Sequence, residues 1–160
     1  MTQVTRQLQV IKEIDDSKML KIAFATSDRK TVNQHFGSAR SFTIYGITES
    51  EAHLLMVSEF EDLKQDGNED KLVIKIELLK DCVAVFCRAC GASAVRQLMA
   101  RNIHPVKVTD GPDDIDTIIH SLQQELKDSP AGWLGKAVKQ MQREQQPDRL
   151  DFMAEETWDE

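Results

Sequence analysis

Apolar residues along this chain follow two alternating periods, and the changes of period mark out its elements. Met19 to Thr26 (MLKIAFAT) is a short, nearly continuous apolar run and predicts a strand buried on both faces. Ser41 to Ile47 (SFTIYGI) sets Phe42, Ile44 and Gly46 against Ser41, Thr43 and Tyr45, the alternation of a second strand. His53 to Glu61 (HLLMVSEFE) predicts a third, joined to the second by a short polar turn. The period then becomes helical. Asn68 is placed as a cap, Glu69 and Asp70 fall in a first turn where carboxylates favour the helix dipole, and Leu72, Val73, Ile76 and Leu79 form one face. Val83 to Phe86 predicts a short buried strand, and Gly91 to Asn102 a helix through Ala94, Val95, Leu98 and Met99. Pro105 to Thr109 predicts a fifth strand. Gly111-Pro112 opens a helix with proline at its first position, Asp113 and Asp114 beside it, and Ile115, Ile118, Ile119, Leu122 and Leu126 inward. Ser129-Pro130 repeats the cap-then-proline signal before Trp133, Leu134, Ala137, Val138 and Met141.

Three strands followed by alternating helices and strands predict an α/β domain: a five-stranded mixed sheet of order 3-2-1-4-5, with strand 2 antiparallel and helices on its faces. The domain is expected over residues 19–128, with a C-terminal helix at 129–144. Residues 1–18, polar and without period, are expected to form a flexible arm, and residues 145–160 an acidic disordered tail. If strands 1, 4 and 5 are parallel neighbours, the loops that follow them emerge at one rim: Ser27 to Arg40, Cys87 to Gly91 and Thr109 to Gly111. Ligands of open α/β sheets bind beyond such strand ends, where the chain turns from one side of the sheet to the other.

Composition narrows the function classes. Aromatics make up only 6% against 41% hydrophobic residues, so the core is aliphatic. The net charge of -7 argues against nucleic acid, whose binders present basic faces. Residues 145–160 hold six carboxylates and one arginine, a local -5 that leaves about -2 for the rest. No apolar stretch resembles a signal peptide or a membrane helix, and three cysteines with two close together read as reduced thiols. A cytoplasmic protein is therefore expected.

The candidate chemistry sits in two loops. His35, in VNQHFGSAR, is an imidazole beside a glycine in a loop longer than any hairpin turn, suited to ligate metal or donate a proton, or merely to bond its own loop. His53 and His104 begin strands at the opposite rim, and His120 lies on a helix; structural or solvated roles are expected for all three. Cys87-Arg88-Ala89-Cys90-Gly91 ends a strand and opens a helix, where main-chain N–H groups favour a thiolate, a phosphate or an anionic cluster. Cys82 is expected to be structural. A permanent four-iron cluster takes four cysteines and structural zinc four Cys or His ligands. This rim offers His35, Cys87 and Cys90, with Arg40 or Arg88 nearby, which suits a site that holds an anionic metal cluster without enclosing it. Two other readings compete: a dithiol oxidoreductase using Cys87 and Cys90, and a regulatory module that docks through Phe152 and Trp158 of the tail.

The run KIAFATSD, the loop QHFGSARSF, the segment QDGNEDKL and the helix-opening CRACGASAVRQL together resemble the dinitrogenase iron–molybdenum cofactor-binding family, over about residues 8–145. The resemblance implies a ribonuclease-H-like domain that carries an iron–sulfur precursor of the nitrogenase cofactor without catalysing a reaction. Its implied partners are the radical-SAM protein that makes the precursor and the scaffold that receives it. A monomer or weak dimer, binding neither nucleic acid nor membrane, is expected. His35 matches the family's prime cofactor-contacting histidine. Around it Phe36 would shield a cluster face or enter the core, Gly37 would let backbone approach, Arg40 and Arg88 would balance charge, and Ser38 counts among the cofactor-binding residues. Gly91 would open the helix, and Cys87 or Cys90 would supply a thiolate. The family loop often reads Asp-Gln-His-Phe-Gly; here Asn33 stands in place of the aspartate.

Overall fold

The computed structural model describes residues 18–60, 68–109 and 112–144, with residues 68–71 as backbone only. The arm and the acidic tail expected at the termini lie outside the described residues, apart from Lys18. Nine elements follow in the expected order: β1 (Leu20–Ala25), β2 (Ser41–Ile47), β3 (Ala52–Glu59), α1 (Asn68–Leu78), β4 (Ala84–Cys87), α2 (Ala92–Ala100), β5 (His104–Lys107), α3 (Ile115–Asp128) and α4 (Gly132–Glu144). The strands form one sheet of order β3-β2-β1-β4-β5. β2 runs antiparallel to both β1 and β3, whereas β4 is parallel to β1 and to β5.

β1 is central, and its two faces feed two cores, which explains its continuous apolar run. Ala23 and Ala25 join Phe36, Phe42, Ile44, Ile76, Leu79 and Leu98 on the side covered by α1 and α2. Leu20, Ile22 and Phe24 join Phe86, Ile115, Ile118, Ile119, Leu122 and Leu134 on the side covered by α3 and α4. Because β1, β4 and β5 are parallel, their carboxyl ends share a rim, and the loops at 27–40 and 88–91 meet there.

The structure departs from the periodic reading at four places. Val73, assigned to the inward face of α1, is 50% exposed, while Lys75 is only 2% exposed. The buried stripe is Leu72, Lys75, Ile76 and Leu79, a regular i, i+3, i+4, i+7 set with a lysine in it. Met99, expected inward on α2, is likewise 50% exposed, leaving Ala94 and Leu98 buried. α3 begins at Ile115 rather than at Pro112, because the preceding residues are committed elsewhere. Val32 N donates to Asp113 O at 2.8 Å, Ile115 N donates to Lys30 O at 2.9 Å, and Thr31 bridges Asp114. Asp114 is the cap, its carboxylate accepting from Thr117 N at 2.9 Å and from Thr117 Oγ1 at 2.7 Å. α4 similarly starts at Gly132, whose φ of 57° is a conformation that side chains rarely adopt.

Candidate functional site

The loop between β1 and β2 is fastened residue by residue. Asp28 folds its first turn, accepting from Lys30 N at 2.8 Å and from Thr31 N at 2.9 Å; these donors hold its carboxyl down at about 2. Asn33 ties the loop base: its Oδ1 accepts from Ser27 N and its Nδ2 donates to Ser27 Oγ, both at 3.0 Å. Asn33 thus fills its position by donating as well as accepting. Gln34 Oε1 accepts from Arg40 N at 2.8 Å and closes the loop across its mouth. Val32, Phe36 and Ala39 point into the core. His35, Gly37, Ser38 and Arg40 are exposed.

That alternation corrects one assignment. Phe36 is fully enclosed, its ring 5.5 Å from that of Phe42, so it anchors the loop and has no face to offer a cluster. Gly37 has a normal negative φ, and a Cβ there would meet nothing within 4 Å. Its carbon faces open space beside His35.

The second motif lies directly against the first. Arg88 N donates to Gln34 O and Phe36 N donates to Ala89 O, both at 2.8 Å, so the two bonds flank His35. Cys87, the last residue of β4, is fully enclosed, whereas Cys90 is half-buried. The two thiols influence each other: the neighbouring Cys87 draws the Cys90 pKa down, and Cys90 together with burial pushes that of Cys87 up. Cys90 is thus the more readily ionised thiol of the pair. Gly91 caps α2 in an extended conformation with no side-chain hydrogen bond, and a Cβ there would also meet nothing within 4 Å. Arg88 reaches Asp113 of the third loop at 3.8 Å, leaving its guanidinium at the same rim.

The structure does not gather His35, Cys87 and Cys90 into a chelating cluster. Among the described residues no group of three or more His, Cys, Asp or Glu is placed to hold a metal ion. Cys87 is turned into the core with its Sγ 4.0 Å from Val106 O. The remaining candidates lie as expected. Cys82 is buried, and that burial pushes its thiol up to about 12. His53 meets Glu51 at 3.2 Å, His104 stacks on Trp133 with centroids 5.7 Å apart, and His120 is exposed. A cavity of about 640 Å³ opens at the opposite rim, lined by Cys82, Arg101, His104 and Trp133 among others, and shares no residue with the two motifs. Periodic reading missed Lys75, whose Nζ donates to Gly37 O at 2.7 Å and to Phe36 O at 3.3 Å. Its signal was legible: it is the one charged residue in an otherwise apolar helical stripe.

Residues 18–125 match the family model described as dinitrogenase iron-molybdenum cofactor. The chain is 56% identical to Protein NifX of Azotobacter vinelandii over 162 residues, covering all of both proteins. It is 39% identical to Protein NifX of Herbaspirillum seropedicae over 126 residues, 78% of this chain and 86% of that one. Among solved structures, the crystal structure of PH0822 shares the fold, with a TM-score of 0.50 at 22% identity over 66% of this chain and 90% of its own.

Proposed function

The chain belongs to the dinitrogenase iron-molybdenum cofactor family, and on that footing we propose that it acts in biosynthesis of this cofactor as a non-catalytic carrier and temporary store of an iron–sulfur precursor. The precursor is cargo, received from the radical-SAM protein that makes it and passed to the cofactor scaffold. Exchange takes place in the cytoplasm, on a frame we read as ribonuclease-H-like from its 3-2-1-4-5 order. The segments at 1–18 and 145–160 belong to this proposal as flanks of the carrier domain.

One observation carries the reading: the pair of main-chain hydrogen bonds that lock an exposed histidine against the segment ending in the half-buried Cys90. His35 then supplies a nitrogen ligand and Cys90 a soft sulfur that gives up its proton on binding. The open space at Gly37 and Gly91 admits the bulk of a cluster, and the uncapped start of α2 with Arg40 and Arg88 favours its negative charge. Two protein ligands grip cargo loosely enough to release it, whereas a four-cysteine site would retain it.

The opposed pKa shifts of the neighbouring Cys87 and Cys90 also favour a dithiol oxidoreductase. In that reading the attacking thiolate is Cys90, and the enclosed Cys87 resolves the mixed disulfide. Anaerobic titration with the iron–sulfur precursor separates the two, following visible absorption and iron retained after gel filtration. Wild type is expected to retain iron, and His35→Ala to lose most of it. Retention of none by wild type overturns the carrier and leaves the dithiol reading.

A further inference from the structure

Lys75 sits where the helical pattern calls for an aliphatic residue. It is 2% exposed, within the stripe through which α1 packs on the sheet. A methionine or leucine there would bury apolar surface at no electrostatic expense, whereas an ammonium must be supplied with acceptors. The acceptors include main-chain carbonyls of Phe36 and Gly37, residues 39 and 38 positions away, and the ring of Phe60 lies 5.9 Å from Nζ. Hydrogen bonds from a charged donor are roughly twice as strong as neutral ones. A local rule broken inside a core, with the broken residue aimed at the loop that carries the candidate chemistry, is the signature of a functional constraint.

We propose that Lys75 is the positioning residue of the displayed loop. By holding the two carbonyls that follow His35 it keeps Phe36 turned in and His35 turned out. It also fixes a positive charge beneath the surface on which an anionic cluster is carried, and this second role rests on the carrier reading. The clamp ties the loop to α1, just as the bonds from Arg88 N and Phe36 N tie it to the Cys87–Gly91 segment. The loop is thereby held from two sides.

The test uses the full chain as wild type, Lys75→Met and Lys75→Arg. Amide hydrogen exchange is read at Phe36 and Ala39 and, as internal reference, at Phe24 and Phe86 in the sheet. Lys75→Met is expected to leave the reference amides protected while exchange at Phe36 and Ala39 rises about tenfold or more. Lys75→Arg, which keeps the charge, is expected to recover part of that protection. Iron retention after anaerobic loading should fall in Lys75→Met and partly return in Lys75→Arg. Loop exchange within about twofold of wild type in Lys75→Met, or an equal rise in sheet and loop, overturns the positioning role. If the loop loosens but wild type holds no cluster, the positioning role stands, and the carrier reading with its charge role falls. Should Lys75→Met fail to fold, the exchange of Lys75→Arg decides: wild-type protection upholds the charge requirement, and loss equal in loop and sheet overturns it.

Discussion

Replacing Phe36 by alanine tests whether this loop is anchored by one neighbour and presented by the other. The ring is wholly enclosed, against Phe42 and within the core beneath α1 and α2. A phenylalanine buries roughly 150–250 Å², worth about 4–6 kcal/mol at ~25 cal/mol per Å². A compact denatured state reduces that by roughly 10–40%, which brings it near the ~3–5 kcal/mol seen for Phe→Ala in cores. In a chain of this size each kcal/mol moves the thermal midpoint by roughly 2–4 °C, so a drop of about 6–20 °C is expected. His35→Ala, one residue away and exposed, should change stability by no more than about 0.5 kcal/mol. Urea denaturation followed by far-ultraviolet circular dichroism gives both values, with the slope checked for constancy. A loss below about 1 kcal/mol in Phe36→Ala, or a larger loss in His35→Ala than in Phe36→Ala, would refute the inward–outward assignment on which the site rests.

Alkylation by iodoacetamide, mapped by mass spectrometry across pH, should modify Cys90 at lower pH than an ordinary thiol and leave Cys82 untouched in the folded protein. Cys87→Ala should move the Cys90 profile to higher pH, since it removes the neighbour that draws the Cys90 pKa down; an unmoved profile would show that the two sulfurs do not interact. Asp28 has its folded pKa depressed from 3.8 to about 2, so its contribution to stability is present above the upper value and lost as pH falls toward the lower. Asp28→Asn should flatten the wild-type decline in stability across that window, and an identical slope in both proteins would remove Asp28 as its source.

Much of this architecture was legible in one dimension. The change from alternation to helical spacing placed all nine elements, and the short connections with right-handed crossovers led to the sheet order and to the rim where the loops converge. Periodicity is a local property, and it served wherever the residue type matched the environment that its spacing implied. It misplaced Val73 and Met99 because an apolar side chain at the edge of a stripe reads the same whether its neighbour helix covers it or not. It passed over Lys75 because the Gly37 and Phe36 carbonyls that accept from that ammonium lie 38 and 39 residues away.

The motifs were likewise visible as motifs, and their chemistry was not. His35 and the paired cysteines stand out by type and by the loops they occupy. Which of Phe36 and His35 faces the core and where α3 begins depend on hydrogen bonds between segments far apart in the chain. Those bonds run from Arg88 to Gln34, from Phe36 to Ala89 and from Val32 to Asp113. The sequence alone determined the elements, their order and the rim, because backbone propensity and hydrophobic period act over a few residues. The tertiary structure decided the orientation of each side chain at that rim, because burial and charge are set by whatever the fold brings alongside.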